Sequence, residues 1–181
     1  MLKLFTVDYD KLLRKFRKKP LADIDNFPHK VNIGMEDIKR IIPHRDPILL
    51  LDSIKGIDLK NELIVGQRFI VSSESVFKGH FPDFPVYPGC LELEMIGQLG
   101  LCLYYFITNK TIVIEGIPRI LPIRATRIVG AYFLEPITPD SKVALIAKKL
   151  EYDGFLAKSI GQALVGDKVC CVAIGEVCFL E

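Results

Sequence analysis

The sequence predicts an α+β fold in which a curved, mostly antiparallel sheet surrounds one long helix. Three observations predict it. Strand-like segments stand before and after a single long helical stretch, instead of alternating with helices as parallel βαβ units would require. The later strand candidates are joined by short turns at Pro136…Pro139-Asp140, Asp153-Gly154 and Gly166-Asp167. The helix itself, over residues 88–107, has no polar face beyond Gln98. A helix that is apolar all round is buried all round, so a sheet curled about it, or a sheet plus a partner subunit, must cover it.

Taken in order, residues 1–30 form a basic extension to a domain at 31–181. Lys11, Arg14, Lys15, Arg17, Lys18 and Lys19 accompany Leu12, Leu13 and Phe16 at helical spacing, and Pro20 ends the segment. Such a helix can pack on the domain as a solvated arm, or meet an anionic surface or an acidic partner. The stretch MEDIKRIIPHRDP reads as a short helix stopped by Pro43. ILLLDSIKGIDLK and ELIVGQRFIV read as strands, with Lys60-Asn61 turning between them. After the long helix come strands at 120–134, 142–151, 155–165 and 169–180.

Composition sets the outer bounds. At 181 residues, half of them hydrophobic and a quarter charged, the chain suits one globular domain that needs no staple. A net charge of +2 gives no global electrostatic case for nucleic acid. The cysteines (90, 102, 170, 171, 178) are odd in number, form no CxxC and include an adjacent pair, which argues against a disulfide framework and for a reducing cytoplasm. His29, His44 and His80 lie far from them in sequence, so no metal site is expected. The N-terminus has no continuous apolar core, and no 18-residue uncharged run exists, so neither a secretory signal nor a membrane span is expected.

Chemistry concentrates in residues 78–98, KGHFPDFPVYPGCLELEMIGQ. Pro82, Pro85 and Pro88 stiffen the backbone after His80 and direct it into the helix. Glu92, in the first turn, is accounted for by the helix dipole. Glu94 shares a face with Gln98 and can bond to it, and desolvation there should raise its pKa. Free amides at Pro88-Gly89 offer a site for an oxygen with partial negative charge. A base, an acid and a polarising amide edge this close suit proton abstraction beside a carbonyl. The plainer alternative is a satisfied structural carboxylate. His44 and Arg45 read as caps of the first helix end, with a role in carrier or substrate contact as the lesser reading.

These residues resemble the β-hydroxyacyl–acyl carrier protein dehydratases of bacterial fatty acid synthesis, members of the hotdog fold. Gly79-His80-Phe81-Pro82, Pro85, Pro88-Gly89 and Leu91 match the family's GHFPxxPxxPGxL segment, and Glu94 lies fourteen positions after His80. Gln98, Ile42-Pro43-His44-Arg45-Asp46-Pro47 with Leu49-Leu50-Leu51-Asp52, and Pro136-Ile137-Thr138-Pro139-Asp140 extend the match over about residues 33–180.

The resemblance implies a hotdog homodimer or larger homo-oligomer in which His80 of one subunit faces Glu94 of the other. It implies dehydration of a (3R)-hydroxyacyl thioester, carried on acyl carrier protein or coenzyme A, to the trans-2-enoyl thioester, with no cofactor. His80 would take the C2 proton and protonated Glu94 would protonate the leaving hydroxyl. The Gly89 amide would polarise the carbonyl, the Val86 carbonyl would hold the His80 ring, and Gln98 would orient the acid. Cys90, beside that amide, is the cysteine to test for thiol reactivity.

The chain also departs from the pattern. Tyr87 stands where common members have Met. Tyr132, Phe133, Leu134 and Glu135 replace basic residues thought to dock the carrier, with Arg45, Arg119, Arg124 and Arg127 as substitutes. Cys90 and the Leu-Cys-Leu-Tyr-Tyr helix are closer to the branch that also isomerises, but that branch carries Asp at position 94; the expectation is a dehydratase without isomerase activity. Two alternatives remain. A hotdog thioesterase would hydrolyse acyl thioesters without forming enoyl product. An acyl-thioester-binding subunit of a polyketide or pigment pathway would bind without turnover.

Overall fold

The computed structural model describes residues 7–180. The first six residues of the basic extension lie outside that range. Seven strands form one antiparallel sheet: β1 (His29–Gly34), β2 (Ser53–Asp58), β3 (Leu63–Ile70), β4 (Ile123–Phe133), β5 (Ser141–Tyr152), β6 (Leu156–Val165) and β7 (Lys168–Phe179). Their spatial order is β1-β2-β3-β5-β6-β7-β4, which leaves β1 and β4 as edges. The helices are α1 (Tyr9–Phe16), α2 (Met35–Ile38) and α3 (Gly89–Asn109).

α3 lies in the concave face of the sheet. Its 21 residues are long and apolar enough to cross a membrane, but here they form the core. Met95, Leu99, Cys102, Leu103 and Phe106 are wholly buried. Two glycines let helix and sheet approach: a Cβ on Gly161 would lie 2.4 Å from Ile96 Cγ2, and one on Gly66 would lie 2.8 Å from Leu99 Cδ1. The helix ends at Lys110, which takes the left-handed conformation at φ 51°.

The outer face of the sheet is apolar too, and α1 covers it. Asp8 caps α1 by accepting from the Lys11 N–H (2.9 Å). Leu13 is buried against the outer-face side chains, with Tyr9, Leu12 and Phe16 packed beside it. Gln162, buried on β6, then holds the end of the segment. Its Nε2 donates to the Phe16 carbonyl (2.5 Å) and the Lys19 carbonyl (2.9 Å), and its Oε1 accepts from the Leu21 N–H (2.7 Å).

The elements differ from expectation at the N-terminal side. β1 escapes a sequence reading because only Val31 and Ile33 alternate on this edge strand. α2 is a single turn followed by turns through Ile42, since Pro43 pushes the preceding residue out of helical geometry. β2 starts at Ser53 instead of near Ile48 because a helix side chain takes the place of a ladder partner. Gln98 Oε1 accepts from the Leu50 N–H (2.8 Å) and its Nε2 donates to the Ile48 carbonyl (2.7 Å). Leu49, Leu50 and Leu51 are thus buried without being in the sheet.

Candidate active site

The proline-rich segment enters α3 through Pro88, the N-cap, at φ −63° and ψ 131° with no side-chain cap. The Pro88 carbonyl accepts from the Leu91 N–H (2.9 Å) and the Glu92 N–H (3.2 Å). The N–H groups of Gly89 and Cys90 have no partner among the described residues and form an open donor edge at the positive end of a 21-residue helix. Gly89 lets the Phe133 ring approach: the ring lies 2.7 Å from where a Cβ would stand, so a larger residue would displace it. The Cys90 thiol is exposed at the same end.

His80 follows a short 3₁₀ turn, Ser75–Lys78, and its N–H donates to the Val76 carbonyl (2.9 Å). Its Nδ1 lies 2.8 Å from the Val86 carbonyl. A carbonyl only accepts, so Nδ1 carries a proton, and in the neutral ring Nε2 is the lone pair. Phe81 stacks on the ring at 4.1 Å and holds a left-handed φ of 56°, uncommon for a bulky residue. The Tyr87 N–H donates to the Ile137 carbonyl (2.7 Å), fixing the far end of the loop.

Glu94 sits a turn into α3. Gln98 Nε2 donates to its Oε1 (2.7 Å), as the spacing predicted. The second partner of that oxygen is His44, whose Nε2 lies 3.2 Å away. His44 Nδ1 is buried with no partner. The carboxylate oxygen only accepts, so His44 donates to it from Nε2. Both donors converge on Oε1, and Oε2 has no hydrogen-bond partner among the described residues. The expected rise in the Glu94 pKa is overturned. The His44 hydrogen bond lowers it, desolvation opposes this less strongly, and Gln98 lowers it further.

Glu92 also departs from expectation. Its side chain is 4% exposed and Oε2 has no partner, so the helix dipole does not account for it. Burial pushes its pKa up to about 7. It faces β7, where burial and then the Glu92 charge push the Cys170 thiol up to about 11.

Beside Glu94 runs a groove of about 290 Å³ between α3 and strands β4, β6 and β7. Small residues form much of its walls, among them Gly97, Gly100, Ala125, Ala157, Ala173 and Gly175. Tyr104 closes one part of it, its hydroxyl 2.6 Å from the Lys158 carbonyl. The structure thus gathers Gly89, Cys90, Glu94 and Gln98 at one helix end and pairs His80 with Val86. No contact joins His80 to Glu94 within the chain. His44 is the residue that sequence reasoning misplaced. Arg45 does cap the turn, through the Ile42 carbonyl (3.0 Å) and the His44 carbonyl (2.7 Å), whereas His44 reaches the acid. No sequence signal marks that contact, which depends on Gln98 pinning residues 48–50 against α3.

A family model described as a FabA-like domain matches residues 42–173, most of the chain. The chain belongs to the FabA-like family. The match takes in His44, His80, Gly89, Glu94 and Gln98 and leaves α1 outside. Among curated relatives, the 3-hydroxyacyl-acyl-carrier-protein dehydratase FabZ of Chlamydia muridarum is 34% identical over 82% of this chain and 92% of its own. The FabZ of Koribacter versatilis is 36% identical over 78% of this chain and 85% of its own. Solved structures agree on the fold: a dehydratase heterocomplex from Xenorhabdus doucetiae superposes with a TM-score of 0.56 at 15% identity, covering 80% of this chain and 91% of that one. A mutant thioesterase from Pseudomonas aeruginosa follows with a TM-score of 0.51 at 13% identity, over 71% of this chain and 80% of that one. This FabA-like domain is therefore a hotdog, the helix-in-sheet arrangement expected from the apolar α3.

Proposed function

We propose that the protein is a hydro-lyase that converts (3R)-hydroxyacyl thioesters of acyl carrier protein to trans-2-enoyl thioesters in fatty acid biosynthesis. The observation that carries this reading is the Glu94 carboxyl, held on Oε1 by Gln98 and His44 with Oε2 free beside the groove. The acyl chain lies along the small-residue walls, and the thioester oxygen accepts from the Gly89 and Cys90 N–H groups. His80 Nε2 removes a C2 proton. The C–H electron pair becomes the C2–C3 π bond, the C3–O bond breaks, and the hydroxyl leaves as water with the Glu94 proton. The five free cysteines fit a reducing cytoplasm.

Two features call for a second copy of the chain. His80 and Glu94 do not meet within one chain, and the groove beside Glu94 is open. The edge strand β4 is available for pairing, with Ile128 54% exposed, and the His80 loop projects Phe81 and Phe84 into solvent. A C2 dimer that brings the His80 loop of one subunit over the Glu94 groove of the other completes the site twice. Covering Glu94 also strengthens desolvation, the one influence that raises its pKa, and so favours the protonated acid the elimination uses.

The test is conversion of a 3-hydroxyacyl thioester to the enoyl thioester by the purified protein. His80→Ala and Glu94→Gln each lower kcat by about 10²–10⁴ while leaving the fold intact. Refolding the two inactive variants together restores about a quarter of wild-type activity, because half the dimers are mixed and one of their two sites is whole. Normal turnover in both single variants would end the assignment, and release of free acid without enoyl product would make the protein a thioesterase.

A further inference from the structure

We propose that α1 and the turn after it form the docking surface for the acidic carrier domain that presents the acyl chain. The proposal rests on the dehydratase reading for the identity of the carrier, and on the following observations for the surface. Residues 8–19 hold six of the chain's 24 Lys and Arg but only two of its 22 Asp and Glu. All six cations are exposed, and none lies within ion-pair distance of a carboxylate among the described residues. The segment is held in place, by Leu13 on the outer face of the sheet and by Gln162 on the carbonyls of Phe16 and Lys19.

The end of the segment puts Arg17 and Lys18 beside the end of β4 that borders Gly89. The Arg17 guanidinium lies 5.4 Å from the centre of the Tyr132 ring on the outer face of β4. The next side chain, Phe133, points to the inner face and packs over Gly89, at the open donor edge. Arg17 and Lys18 line a surface groove with Leu134, Glu135, Asp167 and Lys168, and Lys168 is 4.0 Å from Glu135, offsetting one of the two carboxylates there. Arg17 and Lys18, on the opposite face of β4 from Gly89, can hold a negatively charged surface while its acyl arm reaches Gly89. Arg124 and Arg127 are instead in the first half of β4, and Arg119 borders the far end of α3.

A protein partner is favoured over a lipid surface because the apolar face of α1 is already buried on the sheet. Among the described residues, the helix turns its apolar side to the sheet and its cations to solvent, and a surface that acts through charge fits a folded acidic partner.

The experiment compares wild type with the triple variant Arg14→Glu, Arg17→Glu, Lys18→Glu. Binding of fluorescein-labelled holo acyl carrier protein is read by anisotropy at low salt, binding to phosphatidylglycerol vesicles by co-sedimentation, and turnover with an N-acetylcysteamine 3-hydroxyacyl thioester. Carrier binding should weaken roughly 3- to 100-fold, the worth of three exposed charge pairs, and the wild-type Kd should rise with salt. Turnover of the small thioester should be unchanged, as should the melting temperature. Equal carrier affinity in both proteins overturns the proposal, as does vesicle binding that the variant loses while carrier binding persists. If neither protein turns over the small thioester but the variant still loses the carrier, the catalytic reading fails and the docking surface stands.

Discussion

Glu92 gives the fold a built-in pH dependence that one substitution removes. Burial moves its pKa from an ordinary 4.5 to about 7. The folded state therefore binds the proton more tightly than the unfolded chain does. The stability this confers is complete below about pH 4.5 and drains away as pH rises through about 7, reaching roughly 3 kcal/mol in full. Glu92→Gln keeps the shape and the neutral state at every pH. Urea unfolding of both proteins at pH 5 and pH 8 should then show the variant gaining about 2.5 kcal/mol on wild type between the two. Glu94 and Asp58, whose pKa values are lowered and whose contributions run the opposite way, occur in both proteins and cancel in that difference. A stability difference that is the same at pH 5 and pH 8 would refute the reasoning, and would mean that Glu92 finds a partner for its charge.

Two further predictions concern the site. His44→Phe removes the strongest influence lowering the Glu94 pKa, so the ¹³C carboxyl signal of Glu94 should titrate at higher pH in the variant; an unmoved titration would mean that His44 does not donate to the acid. Gly97 is exposed on the groove wall with no atom within 4 Å of a Cβ position, so Gly97→Leu should fold at least as well as wild type while filling the groove. Its kcat/KM for long-chain hydroxyacyl thioesters should fall about tenfold or more, with short chains little affected; an unchanged chain-length profile would place the acyl chain elsewhere.

What the sequence revealed, and what it hid, divides along the range of the interactions involved. The all-round apolar α3 specified a surrounding sheet because burial is a property of composition along one element. The Glu94–Gln98 bond was legible because it spans one helical turn. The open amides at Gly89 are likewise local, set by the proline before them, whereas the Val86 carbonyl as partner of His80 came from the family resemblance alone. The partners of Gln98 at Ile48 and Leu50 were not legible, since they join residues about fifty positions apart and no periodicity marks them. For the same reason His44 read as a cap and β2 as beginning too early: both depend on where α3 lies against that segment.

The misjudged charges at Glu92 and Glu94 follow from a sharper form of the same point. Both glutamates are on the first turns of one apolar helix, so composition treats them alike. The fold separates them by direction. Glu92 turns toward β7, into burial with no donor, and holds its proton up to about pH 7. Glu94 turns toward the segment that Gln98 pins, where two donors await it, and gives its proton up more readily. An acid that is ionised when uncovered and pushed toward protonation when covered has a state that depends on what closes the groove. On the proposed dimer, catalytic competence would be coupled to assembly through one carboxyl: a second copy that supplies His80 would also, by excluding water, shift Glu94 toward the protonated form.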